Sequence, residues 1–248
     1  MIRGVLLDLS GVLYVGSEPV PGAHQALQRL SGSGLPVRYI TNTTRKTSAT
    51  ILRQLAAMRF AVTAAELFTA PLAAKDYLRR HRLVPYLLIH PNLKPEFAEL
   101  EQRAAVNAVL VGDAGDGFTY AGMNEAFRLI RDGAALLALG TNRYFKDGDQ
   151  FSLDAGPFVR ALEYATEQQA VVIGKPAVDF YLSAVSSLGC RPEETIMVGD
   201  DVEADVVGAV HAGLQGMLVQ TGKYSPGDED KLVAHAGCSA DLAGAVEE

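Results

Sequence analysis

Asp8, Thr41 and Asp200 each follow a short apolar run: Gly4-Val5-Leu6-Leu7, Val37-Arg38-Tyr39-Ile40 and Thr195-Ile196-Met197-Val198 with Gly199. Such runs read as buried strands, and in open α/β sheets ligands bind outside the carboxyl ends of the strands. Residues far apart in the chain can thereby share one crevice. Two carboxylates facing each other there repel unless protons or a cation intervene. A hard divalent ion such as Mg²⁺, ligated by one or two carboxylates and several waters, resolves the conflict. With the Thr41 hydroxyl, the Asn42 amide and the Lys175 ammonium nearby, such a site is suited to holding a phosphoryl group.

The elements that must position these residues alternate strand and helix from end to end, the pattern of a parallel α/β sheet. Pro21 opens a helix with Ala23, Leu27 and Leu30 on one face, and Ser31-Gly32-Ser33-Gly34 ends it. Ile51, Leu55 and Met58 mark the next helix, and Thr63-Ala64-Ala65-Glu66 has capping-box form. In the middle of the chain Tyr86–Ile89, Ala108–Val111 and Ala135–Leu139 read as strands. Pro95–Leu100, Asn124–Arg131 and Pro157–Thr166 read as helices. Val171–Gly174 is a strand leading to Lys175-Pro176 and a helix whose face carries Val178, Leu182 and Val185. A helix from Asp205 to His211 stops at Gly213, and Gly216–Val219 reads as the last strand.

Composition narrows the function. Lys and Arg number 22 against 29 Asp and Glu, a net charge of −7, which argues against a nucleic-acid or anionic-membrane partner, since both need a basic face. Cys190 and Cys238 are too few for a disulfide scaffold and lack metal-type spacing. The five histidines show no ligand spacing. Ser31-Gly32-Ser33-Gly34 precedes a strand where a dinucleotide fingerprint would follow one, and no Walker-type loop exists. The run Met1–Leu7 meets Asp8 too soon for a signal-peptide core, so the expectation is a soluble cytoplasmic protein.

Taken together, Asp8-Leu9-Ser10-Gly11-Val12-Leu13, Thr41-Asn42, Gly174-Lys175-Pro176 and Gly199-Asp200-Asp201 with Asp205 resemble the ordered motifs of haloacid dehalogenase-type phosphohydrolases. The long segment before Gly174 is similar to the α/β cap of the NagD-like subgroup. Leu7–Tyr14, Pro85–His90, Arg143–Lys146, Leu162–Ala165 and Thr221-Gly222-Lys223 are similar to the branch acting on phospholysine, phosphohistidine and inorganic pyrophosphate. The resemblance implies a Rossmann-like parallel-sheet core, residues 1–82 and 170–248, with an inserted α/β cap, residues 83–169, that sets substrate specificity. Similar capped enzymes often dimerise through the cap, which makes a homodimer an expectation.

The resemblance also implies roles. Asp8 is the nucleophile that forms an aspartyl-phosphate. Mg²⁺ is held by Asp8, the Ser10 carbonyl and Asp200. Thr41 and Asn42 bind phosphoryl oxygens, and Lys175 neutralises both Asp8 and the phosphate. Asp205 and Asp201 orient metal waters or Lys175 from behind. In the cap, Asn142, Arg143, Tyr144 and Asp154 are candidates to contact the leaving group, Arg143 suiting a second phosphate and Asp154 a cationic amine.

One position departs from the superfamily: Ser10 stands where most of its phosphatases carry an acid/base Asp. General acid–base help is worth roughly 10²–10⁴-fold, and phosphate monoesters with poor alkoxide leaving groups lose most without it. P–N bonds and pyrophosphate lose less, so a small phosphorylated compound, pyrophosphate or a phosphorylated protein side chain is the expected substrate. A sugar or nucleotide phosphate monoesterase, and a weakly active protein that binds Mg²⁺ and a phospho-ligand, stay open as alternatives.

Overall fold

Every residue of the Gly4–Asp8 strand is buried, as an apolar run covered on both sheet faces requires. In the computed structural model, which describes residues 1–100, 105–147 and 150–247, this strand lies inside a six-stranded sheet. The order across that sheet is Ala236–Ser239, Gln215–Val219, Thr195–Gly199, Gly4–Asp8, Val37–Thr41 and Leu67–Thr69. The chain grows from Gly4–Asp8 towards one edge and later returns on its other side at Thr195–Gly199. The order therefore reverses between these two strands, the place where α/β sheets open a binding crevice. They pair in parallel with Leu7 opposite Val198, so Asp8 and Asp200 emerge at the same carboxyl end. On the other side Asp8 pairs with Ile40, which sets Thr41 one residue further along.

The chain divides into two compact units, one of residues 1–41, 51–68 and 175–248, the other of residues 42–50 and 69–174. The first has a core built on Leu7, Leu9, Val12, Leu13, Ile51 and Leu55. The second has its own, built on Val109, Val111, Ala126, Leu136 and Val159. Its four-stranded parallel sheet runs Val171–Val172, Ala135–Ala138, Ala108–Val111 and Pro85–Leu88, and a hairpin pairs Tyr144–Asp147 with Gln150–Leu153. The sequence divides the chain at 82/83 and 169/170, whereas the compact units change at 68/69 and 174/175 and the second also takes residues 42–50. Val171–Val172 hydrogen-bonds to Ala135–Ala138, which is why it falls within the second unit.

Several local expectations are corrected. Gly216–Val219 is not the last strand: Ala236–Ser239 adds an edge strand beyond it, held by main-chain bonds rather than by an apolar run. Pro95–Leu100 is no helix; a 3₁₀ segment, Pro91–Glu96, ends there, and Pro95 can supply no N–H to prolong it. Thr63 and Glu66 do make capping contacts, the Thr63 N–H donating to Glu66 Oε2 at 2.8 Å, but they close a single turn before the Leu67–Thr69 strand. The Val178–Leu188 helix buries Phe180, Tyr181, Ala184 and Val185 and leaves Val178 and Leu182 exposed. Both stripes are apolar, and the aromatic pair wins because it removes more area from water. The segment from Val202 begins as a π-helical turn, Val202–Val207, and becomes α-helical only at Gly208–His211. Among the described residues no helix is long and apolar enough to cross a membrane.

Candidate active site

At the carboxyl end of the larger sheet, Asp8, Asp200, Asp205 and Lys175 are all buried, none more than 6 % exposed. Lys175 Nζ donates to Asp8 Oδ1 and to Asp205 Oδ1, each at 2.5 Å. One carboxylate oxygen from each of Asp8, Asp200 and Asp205 lies within 4.8 Å of the others. Asp205 reaches this point from the π-helical turn, a widened helical geometry frequently found at functional sites. The main-chain carbonyl of Ala204 in that turn accepts from the buried Tyr181 hydroxyl, so it is not orphaned. Gly199 is required here, because a side chain on it would overlap Asp205.

The charges are unbalanced. Three carboxylates face one ammonium, and their ionisation shows the strain. Burial first, then Asp8 and Asp205, pushes the Asp200 carboxyl up to about 8. Burial likewise raises Asp205 to about 6, against the pull of Lys175. Burial works to lower Lys175, but Asp205 and Asp8 outweigh it and hold the ammonium well above its usual range. Tyr14 is pushed up to about 12 by burial and then by Asp8. A set of hard carboxylate oxygens short of positive charge, in reach of one point, fits a divalent cation such as Mg²⁺. Asp8 and Asp200, with the main chain at Ser10, are the residues that would hold it, and Asp205 is also within reach.

The other candidates separate by place. Thr41 is buried at the end of its strand in the same unit as Asp8, and Ser10 is exposed in the turn that follows Asp8. Asp201 turns away from the buried cluster: its Oδ1 accepts from the Ala204 N–H at 2.9 Å, capping the π-helical turn, and its Oδ2 pairs with Lys223 Nζ at 3.3 Å. Lys223 outweighs burial and holds the Asp201 carboxyl below the usual range. Asn42 belongs to the second unit, where its side chain lies so close to Gly174 that a Cβ there would sit 2.6 Å from Asn42 Oδ1. Asn142, Arg143, Tyr144 and Asp154 are also in that unit. Asp154 Oδ1 accepts the Ala155 N–H at 2.7 Å and caps the Ala155–Thr166 helix. Asp154→Ala is therefore expected to cost about 1 kcal/mol of stability, read from urea denaturation, whatever it does to turnover.

Three features escape a reading of the sequence. Arg45 forms a two-pronged ion pair with the buried Asp113 and lies beneath the Phe145 ring, 4.5 Å from its centroid. Glu96 accepts from both the N–H and the hydroxyl of Ser48 at 3.1 Å. Both contacts fasten residues 42–50 to the second unit. The third is Lys223, whose N–H donates to Asp200 Oδ2 at 2.7 Å. Its only signal is a Thr-Gly-Lys turn after the apolar run Gly216–Val219.

With this geometry in view, comparison with known proteins identifies the family. Residues 5–102 match the haloacid dehalogenase-like hydrolase family and residues 172–245 the HAD-hydrolase-like family. Over 231 residues the chain is 44 % identical to haloacid dehalogenase-like hydrolase domain-containing protein 2 of Bos taurus, covering 93 % of this chain and 89 % of that one. The chain belongs to the haloacid dehalogenase-like hydrolases. A second relative of this hydrolase, phospholysine phosphohistidine inorganic pyrophosphate phosphatase of Danio rerio, is 38 % identical over 253 residues, 99 % of this chain and 93 % of its own. Among solved structures, NagD from E. coli K-12 has the same fold, with a TM-score of 0.86 at 24 % identity over 98 % of this chain and 97 % of that one. The Rossmann-like α/β core with a cap, read from the motifs, is thus the fold of the chain, and the chain is an enzyme of the hydrolase class whose relatives carry phosphatase names.

Proposed function

We propose that this hydrolase is a Mg²⁺-dependent phosphatase in which Asp8 attacks phosphorus and is transiently phosphorylated. The observation that carries the proposal is the buried carboxylate set Asp8, Asp200 and Asp205 around Lys175, at the sheet's point of strand reversal. Asp8, the Ser10 carbonyl and Asp200 would hold Mg²⁺, which would supply positive charge between the attacking carboxylate and the phosphoryl oxygens. Thr41, Asn42 and Lys175 grip those oxygens. Lys175 also keeps Asp8 aimed, since its ammonium is fixed from behind by Asp205. Asp201 holds the turn from which Asp205 projects. Attack forms the Asp8 Oδ–P bond and breaks P–N or P–O; water then hydrolyses the aspartyl-phosphate and restores Asp8.

Ser10 selects the substrate. A serine hydroxyl cannot deliver a proton to an alkoxide at neutral pH, whereas a protonated P–N nitrogen leaves as a neutral amine and pyrophosphate releases the weaker base phosphate. Phosphohistidine-type or phospholysine-type P–N bonds and pyrophosphate are therefore favoured, whether on small molecules or on protein side chains. The name of the Danio rerio relative supports the same choice. Residues 1–82 and 170–248 form the catalytic core in this reading. Residues 83–169, with Asn142, Arg143, Tyr144 and Asp154, act as a specificity cap and as the homodimer contact. The protein works in the cytoplasm, without nucleic acid or membrane.

Phosphate release from imidodiphosphate, pyrophosphate and a panel of phosphate esters, with and without Mg²⁺, tests this. Mg²⁺-dependent release led by the first two is expected. Release led by esters would make it a metabolite monoesterase, and none at all would leave a phospho-ligand-binding protein. Ser10→Asp should raise ester turnover by roughly 10²-fold with a much smaller change for P–N substrates. An equal gain on both would refute the role given to Ser10.

A further inference from the structure

Asp200 is held by more than its place at the end of a strand. Its Oδ2 accepts the Lys223 N–H at 2.7 Å. Against that same oxygen stand two adjoining glycines in the left-handed region, Gly11 at φ +88° and Gly222 at φ +61°. A Cβ on either one would overlap the Asp200 carboxylate itself. The two glycine-bearing turns are joined to each other, because the Thr221 hydroxyl donates to the Gly11 carbonyl. Lys223 also sorts the neighbouring acids, its N–H holding Asp200 while its ammonium draws Asp201 outwards at 3.3 Å.

We propose that the Thr221-Gly222-Lys223 turn is a positioning clamp for Asp200: it engages one carboxylate oxygen and so presents the other to the cation site shared with Asp8. The proposal rests on the metal-site reading given above. Its physical basis is that groups hydrogen-bonded to a ligating carboxylate fix its direction, and that their loss typically costs 10–100-fold in metal affinity. The glycines are needed twice over, for a backbone conformation that side chains rarely adopt and for the close approach of backbone to carboxylate.

The test is Mg²⁺ affinity of the full chain by isothermal titration calorimetry, with folding followed by circular dichroism, for wild type, Asp200→Ala, Gly222→Ala and Thr221→Val. Asp200→Ala separates the two ideas: unchanged affinity there removes the metal site itself. If Asp200→Ala abolishes binding, Gly222→Ala is expected to weaken Mg²⁺ by roughly 10-fold or more. Thr221→Val, which keeps shape and loses the hydroxyl, is expected to weaken it by about 3-fold or more, below the roughly 10–100-fold of a group bonded directly to the carboxylate because Thr221 acts through the Gly11 carbonyl. Should Gly222→Ala fail to fold, Thr221→Val decides. Folded protein with wild-type Mg²⁺ affinity in either variant, where Asp200→Ala has lost it, overturns the clamp.

Discussion

Asp8→Asn should abolish Mg²⁺-dependent phosphate release, a loss on the order of 10⁴-fold or more, as when a covalent nucleophile is removed elsewhere. The reason is chemical rather than structural. An amide has the shape of the carboxylate but neither its charge nor its nucleophilicity, so the Oδ–P bond cannot form. The fold should survive, because Lys175 keeps its second partner, Asp205 Oδ1, at 2.5 Å. Metal-free protein should even unfold at an equal or higher temperature than wild type. Asp8 is, after burial, the largest influence raising the Asp200 carboxyl, so removing its charge relieves a repulsion. Phosphate release and a thermal melt on the same preparation check both halves. Activity within tenfold of wild type would end the nucleophile assignment, and a collapsed fold would mean that Asp8 is primarily structural.

What the sequence revealed depended on how local each cause was. The acids at the ends of Gly4–Asp8 and Thr195–Gly199 could be read because a fully buried strand must be apolar throughout, so a terminal Asp stands out. Parallel pairing then brings the two together with no further information. Lys175 was harder: a lysine before proline is ordinarily exposed, and this one is buried only because Asp8 and Asp205, 167 and 30 residues away, neutralise it. The ordered set of motifs supplied that link where periodicity could not. Val171–Val172 shows a limit of another kind, since two apolar residues do not say which sheet they join. Ala236–Ser239 left no trace because an edge strand of small residues is made by main-chain hydrogen bonds. Arg45 and Asp113 look like surface charges in sequence, and only the folded chain unites them. The Thr221-Gly222-Lys223 turn was visible as a motif, but its contact with Asp200 is a matter of atoms.

Lys175→Met should be the most damaging substitution for stability, at about 3–5 kcal/mol, the cost of removing one partner from a buried ion pair. The side chains have similar length, so the loss is electrostatic: three buried carboxylates remain with no ammonium among them. The pH dependence identifies the cause. Asp200 and Asp205 have folded pKa values raised to about 8 and about 6, so the folded state binds protons more tightly than the unfolded chain. The stabilisation from that binding is complete below the ordinary carboxylate range. It is lost as pH rises, through about 6 for Asp205 and about 8 for Asp200. Lys175 opposes the rise at Asp205, so its removal moves that carboxyl higher still and deepens the loss at alkaline pH. Metal-free Lys175→Met should therefore lie closest to wild type near pH 5 and furthest from it above pH 8. Saturating Mg²⁺ should narrow the gap, because the cation replaces the missing positive charge, binds folded Lys175→Met more tightly than folded wild type and so stabilises it more by mass action. Urea midpoints across this pH range, with Mg²⁺ and with chelator, measure all three effects. A deficit that stays constant with pH would point to lost packing, and the charge balance proposed for the site would then be wrong.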